Sequence, residues 1–249
     1  MVSSRSPHTL AYAVSAPLAR VLPAHLPEDD VAAPRSQHEH KYLLDADAAL
    51  SVWAAASAHL LPLHDPARPV GFVRTTYFDT RDLAYYRSAR GPVARRLRVR
   101  EYATATAPDE APRLSDRCFL ELKQSAGGLR QKTRIELPPH ALAGYLARQP
   151  DAPLAPVLTT WYRRTSLSDL DGRLRVTLDD GVCFCAPAAV GSPCTGGPQR
   201  VLAREPAFVL EIKRWGDAPA WLGRALRGLD EAVGFSKFSA GMRAAARSG

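Results

Sequence analysis

Five stretches of this chain alternate ionic and apolar side chains with a period of two, and their ionic residues are of the kinds that hold anions. In Arg96–Arg100, Arg96, Arg98 and Arg100 share one side, with Leu97 and Val99 on the other. In Cys118–Lys123, Glu121 and Lys123 oppose Leu120 and Leu122. In Lys132–Leu137, Lys132, Arg134 and Glu136 oppose Thr133, Ile135 and Leu137. In Leu174–Asp179, Arg175, Thr177 and Asp179 oppose Leu174, Val176 and Leu178. In Phe208–Lys213, Val209, Glu211 and Lys213 oppose Phe208, Leu210 and Ile212. This is the period of a β-strand, whose side chains point alternately to the two faces of a sheet. A guanidinium presents a planar fork of donors that fits an oxyanion bidentately.

On any one strand the ordinary arrangement is a wet charged face and an apolar face on the core. Five strands with adjacent same-face Arg, Lys and Glu argue for the reverse. Their ionic rows are expected to converge on one concave surface, with the apolar rows outside and partly covered by helices. Such an interior is costly unless acids and bases pair or a ligand neutralises it. The cations Lys41, Arg98, Arg100, Lys123, Lys132, Arg134, Arg164, Arg175, Lys213 and Lys237 outnumber Glu39, Glu121, Glu136, Asp179 and Glu211, so an anionic guest is expected. The formal charge of +8 fits an anionic partner. Nucleic acid is not that partner, because the cations alternate with acids and no row of exposed aromatics interleaves with them.

The elements that must position these rows are legible in outline. His38–Leu44 and Val70–Phe78 read as strands, and Asp79–Asp82 as a turn. Asp45 or Asp47 caps a helix running to about Leu61, with Leu50, Trp53, Ser57 and Leu60 or Leu61 on one face. A short helix is expected over Pro139–Arg148. A longer one is expected over Pro219–Val233, with Trp221, Leu222, Ala225, Leu226, Leu229 and Val233 as its stripe and Gly234 as its stop. Residues 186–199 read as a loop. Residues 1–35 carry Pro7, Pro17, Pro23, Pro27 and Pro34 without periodicity and read as a disordered or loosely attached leader, leaving 36–246 as the folded domain. Cys118, Cys183, Cys185 and Cys194 have no metal-site spacing and read as reduced thiols of a cytoplasmic protein. No apolar run approaches the ~20 residues of a membrane helix, so no membrane anchor is expected in this chain.

Nine short motifs follow one another in a recognisable order. They are Glu39-His40-Lys41-Tyr42, Thr76-Tyr77-Phe78-Asp79, Arg98-Val99-Arg100-Glu101-Tyr102, Phe119-Leu120-Glu121-Leu122-Lys123, Lys132-Thr133-Arg134, Tyr162-Arg163-Arg164, Arg175-Val176-Thr177-Leu178-Asp179, Glu211-Ile212-Lys213 and Ser236-Lys237-Phe238. Together they resemble the VTC or polyphosphate polymerase domain of the CYTH-like triphosphate tunnel metalloenzyme superfamily. The resemblance implies an α+β fold: an eight-stranded closed antiparallel β-barrel, open at both ends as a triphosphate tunnel, with helices packed on the outside. It implies ATP and inorganic polyphosphate or triphosphate as partners, Mn²⁺ or Mg²⁺ as cofactor, and transfer of the γ-phosphoryl group of ATP onto a growing polyphosphate chain. Hydrolysis of tripolyphosphate or a nucleoside triphosphate, and polyphosphate binding without turnover, are the alternatives.

Carried onto this sequence, Arg98, Arg100, Lys123, Arg175 and Lys237 are the expected catalytic residues. Lys41, Lys132, Arg134, Arg164 and Lys213 are expected to bind substrate. Glu211, and second Glu39, are the expected metal ligands, because a hard cation takes carboxylate oxygen. Tyr77, Phe78 and Tyr162 read as packing residues, and His38 and His40 as strand residues without a role. The chain departs from the pattern at two places. The first acid of the superfamily's Glu-x-Glu-x-Lys signature is Gln37, which argues against a two-metal hydrolytic site. The Lys that related domains often place two residues before the final Ser-Lys is Gly234, which removes one phosphate contact.

Overall fold

A computed structural model describes residues 37–248, except 65, 89–90, 92, 108–109, 127–128, 150–152, 192–197 and 199. The leader expected over 1–35, Cys194 and part of the 186–199 loop lie outside the described residues. The strands are β1 Gln37–Leu44, β2 Leu61–Pro62, β3 Val70–Asp79, β4 Val93–Ala105, β5 Arg113–Ala126, β6 Leu129–Leu137, β7 Ala155–Ser168, β8 Leu174–Cys185, β9 Val201–Arg204 and β10 Phe208–Trp215. The helices are α1 Ala46–Ser57, α2 Ala84–Ser88, α3 Leu142–Ala147, α4 Ala220–Ala225 and α5 Lys237–Ser248.

All the strands belong to one antiparallel sheet in the order β1-β10-β8-β7-β3-β4-β5-β6, with β2 attached to β7 and β9 to β8. The expected closed eight-stranded barrel does not form among the described residues, because β1 and β6 end the sheet and no ladder joins them there. The free edge of β1 is occupied instead by a later segment. The Ala232 N–H donates to the Lys41 carbonyl at 2.7 Å, and Tyr42 forms an isolated bridge with Glu231. Inward-pointing charges near both ends, Lys41 on β1 and Lys132 on β6, also oppose edge-to-edge pairing. The sheet nevertheless curls, and register shifts in the β3–β7, β4–β5 and β7–β8 ladders bend it. Side chains from all eight strands of the main path line one cleft.

The convex side carries the aliphatic rows, as the alternation requires. Asp45 caps α1, its side chain accepting from the Ala48 N–H at 2.8 Å. The helix buries Ala49, Val52, Trp53 and Ala56 against Tyr42, Leu44, Val176, Leu210 and Ile212. The expected face is thus rotated: Leu50 is 37 % exposed, and small residues let the helix approach the sheet closely. Leu142 and Tyr85, from α3 and α2, cover Leu97, Val99 and Leu120. The helix expected over 139–148 is a 3-10 turn at Pro139–Ala141 that runs into α3. The one expected over 219–233 stops at Ala225, Gly228 follows with φ 80°, and Val233 is 86 % exposed. Its last residues are drawn onto the β1 edge.

The last helix corrects a second expectation. Helix α5 lies on the concave side, where Phe238, Met242 and Ala244 meet Val73, Tyr77, Leu158, Tyr162 and Phe184. Gly241 permits this approach, since a Cβ there would meet the Leu158 Cδ2 at 2.5 Å. The helices are therefore not all outside. No helix among the described residues is long and apolar enough to cross a membrane.

Candidate active site

Cross-strand register turns the alternating ionic residues into rows. Across β3, β4, β5 and β6 one row reads Tyr77, Arg98, Glu121, Arg134. The Glu121 carboxylate has no exposure. Arg98 Nη2 is 2.5 Å from it, Arg98 Nε donates at 2.6 Å, and Arg134 and Arg100 stand at 3.7 and 3.9 Å. One row along, Arg96, Lys123 and Lys132 stand opposite one another on β4, β5 and β6. The acid charges that act on Arg96 and Lys123, Glu39 on both and Glu211 on Lys123, come from β1 and β10, where Lys41 and Lys213 already hold them. Burial first, then the neighbouring Arg98 and Lys213 charges, lowers the Lys123 ammonium to a pKa of about 7.

The other half of the concave face is nearer to charge balance. Its rows across β1, β10 and β8 read Lys41, Glu211, Thr177 and Glu39, Lys213, Arg175. Lys41 lies 2.6 Å from Glu39, and Lys213 lies 3.4 Å from Glu211. Burial would raise the Glu211 carboxyl, but Lys213, Arg164, Lys41 and Lys237 hold it well below the usual carboxylate range. Glu39 is also held low by Lys41 and Lys213, against its burial and the Glu211 charge. Beside them, fully buried Asp179 accepts from Arg164 Nε at 2.6 Å, Arg164 Nη2 at 2.8 Å and Lys237 Nζ at 2.6 Å. These two cations keep it ionised despite burial. The Tyr162 ring lies under both, 4.8 Å from Lys237 Nζ and 5.3 Å from Arg164 Cζ.

Every predicted site residue is on this concave side. The cleft, about 1680 Å³, is lined by Lys41, Lys123, Lys132 and Arg134, by Arg164, Arg175 and Lys213, and by Glu39. Arg98, Arg100 and Lys237 sit in the wall beneath, engaged with Glu121 and Asp179, and Glu211 lies beside Lys213. Glu136 bonds Arg117 at the rim. Glu101, inside one of the motifs, points to the convex side. It binds Arg74 at 2.7 and 2.8 Å and accepts the Gly191 N–H at 2.9 Å. Its place in the alternation, opposite in phase to Arg100, already carried that signal. Arg96 belonged to the ionic face in sequence yet had no assigned role. Cys118, Cys183 and Cys185 are free and buried, and burial raises all three, Cys118 to about 11 and Cys185 to about 12, which favours the protonated thiol at neutral pH.

Among the described residues no group of three or more His, Cys, Asp or Glu is arranged to hold a metal ion. Glu39 and Glu211 stand on neighbouring strands and feel each other's charge. Two carboxylates suit a Mg²⁺-like ion, which commonly takes one or two carboxylates and completes its shell with substrate phosphates and water.

Two solved structures resemble the chain at low similarity. A candidate adenylate cyclase from Bacillus halodurans aligns at 15 % identity over 76 % of this chain and 84 % of its own, with a TM-score of 0.41. A candidate adenylate cyclase from Vibrio parahaemolyticus aligns at 13 % identity over 85 % and 87 %, with a TM-score of 0.40. No curated protein matches the sequence. The VTC domain profile, in contrast, matches residues 36–153 and 148–246, nearly the whole described region, and the chain belongs to the VTC domain family.

Proposed function

We propose that this VTC domain transfers the γ-phosphoryl group of ATP onto the end of an inorganic polyphosphate chain, with Mn²⁺ or Mg²⁺ held at Glu211 and Glu39. One observation carries this reading: the concave face gathers cations from many strands, while each of its carboxylates is already held by a cation. Phosphoryl transfer asks the protein for positioning and charge neutralisation more than for covalent chemistry. A terminal phosphate oxygen is an anionic nucleophile and needs no base. Water would need one, yet Glu39, Asp179 and Glu211 are all held low, away from the near-neutral pKa of an effective base.

In this reading Arg98, Arg100, Arg134, Arg164 and Arg175 orient the transferred phosphoryl group and its neighbours through their planar forks. Lys41, Lys123, Lys132, Lys213 and Lys237 hold the triphosphate and the growing chain. A bound divalent ion would supply further charge neutralisation to the phosphate oxygens.

The test is incubation of the purified chain with ATP and Mn²⁺, followed by sizing of the phosphate products. Long chains are expected. Orthophosphate alone would make it a hydrolase, and tight tripolyphosphate binding without product would make it a binding module. Glu211→Ala is expected to lower turnover by about two orders of magnitude, the typical loss of one preorganised charge, with its circular dichroism unchanged.

A further inference from the structure

The Arg96–Lys123 pair is one that folding alone does not favour. The two residues are direct antiparallel partners on β4 and β5, and like charges placed opposite each other destabilise a sheet. Both line the cleft, and Lys132 faces Lys123 from β6 in the same row. The row two residues away, a spacing of about 7 Å along a strand, is built otherwise: there Glu121 sits among Arg98, Arg100 and Arg134. The Arg96 guanidinium carbon lies 5.8 Å from the centre of the Phe238 ring on α5, and the acid charge that acts on it, Glu39 on β1, is already held by Lys41 at 2.6 Å.

Excess positive charge in this row calls for a ligand group of more than one negative charge. Within a phosphate chain only the end meets that description. A terminal phosphoryl group resembles a phosphomonoester, with close to two negative charges at neutral pH, whereas an internal phosphate carries one. We infer that Arg96 and Lys123, with Lys132 beside them, form a subsite for the terminal phosphate of a linear chain, and that Arg96 makes the cleft select chain ends over chain interiors. This rests on the reading that the cleft holds phosphate chains. Arg96 is a specificity residue that contacts the ligand.

The test uses the full chain in Mg²⁺ buffer, titrated calorimetrically with sodium tripolyphosphate, which has two ends, and with sodium trimetaphosphate, a ring with none. Arg96→Gln should weaken tripolyphosphate binding about tenfold, as expected for loss of one charge-assisted contact, and leave trimetaphosphate within about twofold. Arg96→Lys should recover most of the loss. The ligand-free melting temperature of Arg96→Gln should not fall, because the substitution removes a repulsive partner of Lys123. An unchanged ratio of the two affinities would overturn the inference. So would equal weakening of both ligands with a lowered melting temperature, the mark of a merely structural arginine. If the unaltered protein binds neither compound, the proposed function falls with it.

Discussion

On the β1–β10–β8 side of the cleft most cations have an acid within reach: Lys41 has Glu39, Lys213 has Glu211, and Lys237 with Arg164 has Asp179. On the β4–β5–β6 side one buried acid, Glu121, serves Arg98, Arg100 and Arg134, Glu136 bonds Arg117 at the rim, and no acid stands between Arg96 and Lys123, which face each other directly. The same alternating pattern therefore produces two surfaces with different uses. The balanced side pairs most of its ions within the protein. The unbalanced side keeps an excess of cations, which in the proposed function a phosphate chain neutralises.

The sharpest way to break this comparison is to remove the buried acid of the unbalanced side, Glu121. Glu121→Gln leaves three guanidinium groups around a neutral amide in a fully buried position. It should cost ~3–5 kcal/mol in urea denaturation, the range for breaking a buried ion pair. Tripolyphosphate should restore part of that loss by taking the place of the missing charge. A small cost, or no rescue, would mean that the arginines are already neutralised from elsewhere.

A smaller effect follows from Lys123. Its pKa is about 7 in the folded chain, against 10.5 as its ordinary value. Between these values the unfolded chain binds the extra proton, so ligand-free stability should rise with pH from about 7 towards 10.5. Lys123→Met should flatten that rise in thermal melts across the same window. In calorimetry near pH 8, tripolyphosphate binding should draw a proton onto Lys123, and the variant should lack that uptake. The smallest effect belongs to the rim. Arg117 and Glu136 are both about half exposed, so Arg117→Ala should change stability by less than ~1 kcal/mol. A larger change would extend the charged machinery to the mouth of the cleft.

Much of the site was legible because strand alternation is local. Which face Arg98, Lys123, Arg134, Arg175 and Glu211 share is a property of each strand's own sequence, and so is Asp45 capping α1. Less legible was α5: Phe238 and Met242 have helical spacing, but nothing local says that this face meets Leu158 and Phe184 on the inside of the curl. The Pro219–Val233 stripe misled for a related reason. Backbone bonds to β1, far away in sequence, outweighed the helical preference of its last residues.

By itself the sequence determined the ionic and aliphatic faces of the strands, the excess of cations and the family motifs. Only the tertiary structure decided that β1 and β6 stay apart, that α5 lies on the concave side, and that Arg96 meets Lys123 while Arg98 meets Glu121. A two-residue slip of β4 against β5 would keep every face yet set Arg96 opposite Glu121 and Arg98 opposite Phe119. Register and edge pairing are set by backbone hydrogen bonds between distant segments, and periodicity within one strand is blind to them.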